Sequence, residues 1–355
     1  MGPSEVRTRP EELEGLVEEW RRLAAAAGAT SYFVSPDWVL GWWETLGAGA
    51  DAEVAVWRGP SGELEAVVAL ARTRHRLHRR LPLPVTAWAN LGGGPGAADH
   101  CGWPVRPQWA GDVRAWIAAK AAEAPLLLSA LDPETGSPLV PEGARRVASS
   151  ACPRLEISAE GQTPPFSSSF RKQLRAYARK LERRDVKFRW VACQEMDEEL
   201  LETLFHLHER RWSDSGRTSS FDRTKASLHR RLIARAGPGR GPAMVLAEQD
   251  GRAVGALYGF CWRDVFAYYQ TGWEPEWADA NLGTVLVSEA IRLAGLAGAR
   301  VFDFLRGAES YKYRFGATDR VDETWLVARG IEGRALDLRY RLAERRRPPV
   351  RSPGG

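Results

Sequence analysis

Twice along this chain an apolar run breaks at a glycine turn and resumes as a second apolar run. A helix and a further strand then follow. The first copy is AEVAVW and ELEAVVALAR around Gly59-Pro60-Ser61-Gly62, and the second is AMVLAEQ and RAVGALYGF around Asp250-Gly251. Runs of this length bounded by turn residues read as strand pairs. Residues 108–122 then read as a helix and PLLLSAL as a strand, and 283–297 and 299–305 repeat that order. Strands alternating with helices call for an α/β architecture with a sheet covered by helices. Before the first pair, residues 11–27 form a helical pattern with Leu13, Leu16, Val17, Trp20 and Leu23 on one face. A second helix is expected after Ser35-Pro36-Asp37, a serine followed by proline at the helix entry.

At 355 residues, 44% of them hydrophobic and with 15 tryptophans, the chain is long enough for two cores. The expected division is an N-terminal domain over 1–160, a C-terminal domain over 161–332, and a basic C-terminal helix and tail over 333–355. EGQTPP at 160–165 reads as the linker, and RRRPPVRSPGG as a disordered tail. The charge balance, 50 basic against 45 acidic residues, gives +5 and does not by itself argue for nucleic acid. No apolar run approaches a membrane span. The first residues are acidic where a secretory signal would be apolar, so a cytoplasmic location is expected. Four dispersed cysteines without a CxxC pair argue against a disulfide framework or zinc site. The histidines show no metal-ligand spacing, so no metal is expected.

The chemistry concentrates in VFDFLRGAESYKYRFG, residues 301–316. It places Asp303, Arg306, Glu309, Tyr311 and Lys312 within ten positions. Alternation along Val301–Leu305 puts Val301, Asp303 and Leu305 on one face, with Phe302 and Phe304 on the other. An acid in so apolar a strand needs a partner. Arg306 or Lys312 could supply it as a structural ion pair; otherwise Asp303 or Glu309 is a general base. Ahead of this segment a helix opens at Asn281-Leu282-Gly283-Thr284. Its leading N–H groups lack partners and its dipole attracts anions, as a pyrophosphate site requires. Tyr268, Tyr269 and Gln270 alternate along their strand, and Tyr269 and Gln270 could face an acceptor. On the helix from Phe170, Arg171, Arg175, Arg179 and Arg183 form a stripe at i+4 steps. That stripe is either a solvated face or a site for an anionic ligand, with Arg171 and Arg175 as its leading residues.

Five segments in order, FRKQLRAYARKLER, LHERRW, AEQDGRAVGALYGF, FAYYQTGWEPEWADANLGTVL and FDFLRGAESYK, run from about Ser167 to Gly330. Together they resemble the FemAB-like branch of the GNAT superfamily, whose members are described as BioF2-like or CelD-like acetyltransferase domains. The resemblance implies tandem GNAT-like domains, each a mixed sheet flanked by helices. It also implies an acyl-CoA donor, acetyl-CoA as the expected case, held by Asn281, Leu282, Gly283, Thr284 and Arg306. Of the usual Q/R-x-x-G-x-G/A loop only Gly283 matches, since Ala278 and Asn281 stand at the other two positions. Tyr311 stands where many GNAT enzymes carry the tyrosine that protonates the departing thiolate, with Tyr313 close enough to compete. Lys312 could orient the acyl carbonyl. The expected reaction is direct attack by an amine or hydroxyl of a sugar or envelope-polysaccharide precursor. The alternatives are a Fem-type transferase using aminoacyl-tRNA, and a noncatalytic module that binds an anionic polymer. DNA is not an expected partner.

Overall fold

The computed structural model describes residues 2–28, 31–78, 81–94, 98–157, 166–213, 221 and 223–345. The expected linker at 160–165 and the tail beyond Arg345 lie outside them. One mixed sheet of 12 strands carries the whole molecule. Its strands are β1 (Glu5–Arg7), β2 (Ala52–Arg58), β3 (Leu64–His78), β4 (Leu81–Asn90), β5 (Leu126–Leu131) and β6 (Arg145–Glu156). The rest are β7 (Lys187–Val191), β8 (Gly241–Gln249), β9 (Arg252–Trp262), β10 (Val265–Trp273), β11 (Val301–Asp303) and β12 (Thr318–Val327). The helices are α1 (Val17–Ala26), α2 (Pro36–Glu44), α3 (Ala110–Lys120), α4 (Ser168–Glu182) and α5 (Glu198–Ser213). They continue with α6 (Ala226–Ala234), α7 (Leu282–Leu296), α8 (Ser310–Arg314) and α9 (Gly330–Arg345).

The repeated plan of the sequence appears as two copies of one unit facing each other. In each, an antiparallel meander (β2–β3–β4 and β8–β9–β10) leads through a crossover helix (α3 and α7) to a parallel neighbour, β5 or β11. A parallel pair needs such a crossover, because a tight turn can only return the chain antiparallel. The two units then exchange strands. β6, which follows β5 in sequence, pairs with β11, and β12, which follows β11, pairs with β5. β6 and β12 pair with each other from Thr318↔Arg154 to Leu326↔Arg145. Neither half completes its sheet with its own last strand, so the inner edges of both are covered.

Helix starts follow the expected chemistry. Ser35 Oγ accepts from Trp38 N at 3.3 Å and caps α2, with Pro36 at its first position. The expected helix over 11–27 begins instead as a 3₁₀ segment, Pro10–Leu16, before continuing as α1. Leu282, Leu286, Phe302 and Phe304 are buried in one core, while Leu305 belongs to a second that draws on both halves. The alternation read from Val301–Leu305 therefore describes the burial, but the strand itself is shorter. It ends at Asp303, Leu305 takes φ +56°, and Gly307 takes φ +118°.

Candidate functional site

Two irregularities in the C-terminal half open a site. The β10–β11 pairing stops at Ala267↔Asp303, whereas β10 continues to Trp273. The chain after β11 turns away, so a gap opens beside β10. At the same level, β10 is bulged against β9, with Tyr268 opposite Gly259 and Gln270 opposite Tyr258. One extra residue re-aims the side chains around it. Simple alternation would turn Tyr269 away from its neighbours, yet Tyr268, Tyr269, Gln270 and Thr271 all line one cleft.

The gap serves two cavities. One, about 250 Å³, is bounded by the start of α7 (Asn281, Leu282, Gly283 and Thr284) together with Trp273, Phe170 and Arg314. Asn281 takes the left-handed conformation, φ 58°, between a 3₁₀ turn and α7. A Cβ on Gly283 would lie 2.8 Å from the Trp273 ring, so glycine is what lets the helix start approach the strand. The second cavity, about 980 Å³, lies between the two halves of the molecule. Its walls come from β10, from the turn carrying Arg306, Glu309 and Lys312, and from Ser129, Ser150, Thr324, Arg339 and Tyr340. Arg211, Tyr268, Thr271 and Tyr311 line both cavities and form the junction between them.

That junction is polar, with Tyr268 and Thr271 buried, Arg211 part-buried and Tyr311 exposed. The Tyr268 and Tyr311 side chains lie close enough to affect each other's titration. Burial, followed by the neighbouring Tyr268 and Glu309, pushes the Tyr311 phenol far above its ordinary value, so it holds its proton at any physiological pH. Arg211 lies 3.8 Å over the Trp273 ring and donates from Nη1 to Thr271 O at 3.2 Å. Burial pulls its pKa down, and no carboxylate pairs with it among the described residues. β10 reaches α5, which carries Arg211, through Gly272; a Cβ there would sit 2.3 Å from His208 N. The sequence reading quoted LHERRW without giving Arg211 a role. Its only local signal is its place as the penultimate residue of LHERRW, and nothing local reveals its burial.

The structure distributes the expected residues unevenly. Asn281, Leu282, Gly283, Thr284 and Tyr311 line the smaller cavity, while Arg306, Glu309, Tyr311, Lys312, Tyr269 and Gln270 line the larger. Tyr313 points away and donates to Asp319 Oδ1 at 2.8 Å. Arg171 and Arg175 stay exposed on α4 and line neither cavity, although Phe170 on that helix does. Lys312 is buried and its ammonium is enclosed. It donates to Leu305 O (3.1 Å), Arg306 O (3.1 Å) and Gly307 O (2.9 Å), and pairs with Glu309 Oε2 at 2.9 Å. It fastens the turn below the cleft.

Asp303 takes neither of its expected partners. Arg306 pairs with Asp99, donating from Nε to Oδ1 at 2.7 Å. Asp303 instead faces His100 from the other half of the molecule, Nε2 to Oδ2 3.0 Å, at an angle off the hydrogen-bonding line. On the other side of the ring, His100 Nδ1 lies 2.7 Å from Asp322 Oδ1, and the His100 backbone N donates to Asp322 Oδ2 at 2.6 Å. All three side chains are buried. Burial opposes a charged imidazole, but the two carboxylates outweigh it and hold His100 well above its ordinary pKa. Burial likewise opposes the Asp303 carboxylate, and His100 outweighs it and lowers its pKa. Asp303 Oδ1 also accepts from Leu305 N at 2.7 Å, so the acid fixes the left-handed residue that turns the chain away from β10. Sequence reasoning could not pair residues 100, 303 and 322, because the strand exchange alone brings them together. His100, Cys152 and Asp322 place ligand atoms within 4.8 Å of one another. Burial raises the Cys152 thiol far above its ordinary value, and His100 is already engaged on both nitrogens, so the set reads as a structural cluster.

A GNAT acetyltransferase domain model matches residues 168–313, which carry the gap, the helix start and the junction. This segment is a GNAT domain. The chain as a whole resembles the C-terminal domain of a putative lysylphosphatidylglycerol synthetase from Agrobacterium fabrum, at TM-score 0.59 and 11% identity over 94% of this chain and 97% of that one. It also resembles FemX, at TM-score 0.60 and 10% identity over 91% and 96%. A third likeness is to L-PGS from Bacillus licheniformis, at 0.55 and 11% over 96% and 98%. At these identities the likeness is one of fold. No curated protein sequence matches. The matched segment is thus a GNAT acetyltransferase domain, within a chain of mixed α/β fold.

Proposed function

We propose that the chain transfers an acyl group, acetyl in the simplest case, from CoA to an amine or hydroxyl of a sugar or envelope-precursor acceptor. One observation supports this most: two cavities of different character meet at a single junction of Arg211, Tyr268, Thr271 and Tyr311. The smaller one opens at the N-terminus of a 15-residue helix, whose leading N–H groups suit a pyrophosphate. Asn281, Leu282, Gly283 and Thr284 would hold the donor there, and the unpaired edge of β10 would flank its pantetheine. The acceptor would occupy the larger cleft between the halves, against Tyr269, Gln270 and Glu309. Glu309, half-exposed at the cleft wall, would take the acceptor's proton, and Tyr311 would return one to the thiolate. Arg211 would face the thioester oxygen as charge develops on it. Lys312 and Asp303 act in this reading as positioning residues for the turn that carries Glu309 and Tyr311.

The test is a calorimetric titration with acetyl-CoA, alongside an Asn281→Pro/Gly283→Glu variant that forbids the left-handed conformation at 281 and drives a side chain into Trp273. Micromolar binding by the wild type, lost in the variant, supports the donor site. A wild type that binds neither acetyl-CoA nor longer acyl-CoAs overturns it. An aminoacyl-tRNA donor would then take its place, read as salt-dependent tRNA binding.

A further inference from the structure

The last helix, α9, is amphipathic in two directions. Its inner face, with Gly333 and Leu336 buried and Tyr340 half-buried, packs against β3, β4, β6 and β12. Its outer face carries Ile331, Leu338 and Leu342 at spacings of seven and four. These side chains are 83%, 57% and 44% exposed, the first two being more exposed than any other large hydrophobic residue described. At 100° per residue the three fall within 40° of arc. Arg334, Arg341 and Arg345 form a row along one border of that stripe, and Arg339 lies on the other. Asp337 on the same helix is engaged by Arg145 and Arg341. No carboxylate pairs with Arg334 or Arg345 among the described residues.

An exposed apolar stripe between arginines has the composition of a helix that lies in a lipid interface. A second protein copy would suit the leucines and isoleucine, but it would bring the unpaired arginines against themselves. Anionic headgroups complement both features at once. We propose that the outer face of α9 docks the protein onto an anionic membrane surface. The sequence continues with Arg346, Arg347 and Arg351, which add to the same charge. Arg339 and Tyr340 on this helix also line the larger cleft, so docking would bring the cleft beside the headgroup layer. That places a lipid-borne acceptor within reach, a consequence that rests on the acyltransfer reading. The docking itself does not.

The experiment is co-sedimentation of the full chain with vesicles of phosphatidylcholine alone and of phosphatidylcholine with 30 mol% phosphatidylglycerol, roughly the anionic content at which basic residues bind measurably. Light scattering of the free protein accompanies it. The expected result is binding to the anionic vesicles only, weakening with salt. Ile331→Asp/Leu338→Asp/Leu342→Asp should lose it at least tenfold, and Arg334→Ser/Arg345→Ser should weaken it by about fivefold per charge. None of these five residues is buried, so circular dichroism and acetyl-CoA affinity should stay at wild-type values. Equal binding to neutral vesicles, or unchanged binding by the triple variant, would overturn the proposal. So would a stable dimer in solution that the triple variant dissociates. Loss of acetyl-CoA binding by the wild type would count against the acyltransfer reading and leave the docking result standing.

Discussion

Replacing His100 with alanine tests how the two halves are locked together. The imidazole lies between Asp303 and Asp322, one on each exchanged side of the central strands, with all three buried. Removing one member of a buried charged cluster strands the others, at a cost of about 3–5 kcal/mol. The wild-type pH profile gives a sharper signature. His100 has a folded pKa raised above its unfolded value of about 6.5. The stability it adds is therefore fully present below about pH 6.5 and is lost as pH rises through the folded pKa. In that window the folded state keeps a proton that the unfolded state has shed, so stability falls by about 1.4 kcal/mol per pH unit. The variant should lack this slope. Burial raises the Asp322 carboxyl even beside His100, so the variant also carries Asp322→Asn, which keeps that acid from supplying a slope of its own, while Asp303 keeps the backbone N–H of Leu305. Urea denaturation of both proteins from pH 6.0 to 8.5 measures the difference, in which other titrating groups cancel. Parallel profiles, or a loss under about 1 kcal/mol at pH 6.5, would refute a charged imidazole at this position.

Tyr311→Phe should lower kcat by about 10²–10⁴ with little change in KM, as steady-state kinetics with an identified acceptor would show. Tyr313→Phe should leave kcat within twofold, because its hydroxyl binds Asp319 outside the cleft. Glu309→Gln should lower kcat by about 10²–10⁴; a variant that keeps wild-type kcat would exclude Glu309 as the base. Lys312→Met should cost about 3 kcal/mol in thermal or urea unfolding, since three turn carbonyls lose their donor. Its activity should fall along with its stability.

The repeated strand–turn–strand plan, the helix opening at 282 and the burial alternation from Val301 to Leu305 were all legible in the chain. Each rests on local periodicity or on a turn residue that only certain backbone conformations accept. Local sequence also gathered Glu309, Tyr311 and Lys312, because they share one turn. It offered Lys312 as an ion-pair partner of Asp303 or a group that orients the acyl carbonyl; that it is enclosed by Leu305, Arg306 and Gly307 carbonyls depends on where the turn folds back. The bulge at Tyr269 carried no local signal either, because it is set by pairing with β9. Arg211 carried no distinguishing local signal, and only packing across Gly272 places it between the cavities. The partnership of His100, Asp303 and Asp322 spans more than 200 residues and depends on β6 and β12 changing places. Periodicity fixes which face of a strand is apolar, because that preference belongs to the strand alone. Which strand lies beside it is settled by the free energy of the assembled sheet, and the junction of the two cavities exists only there.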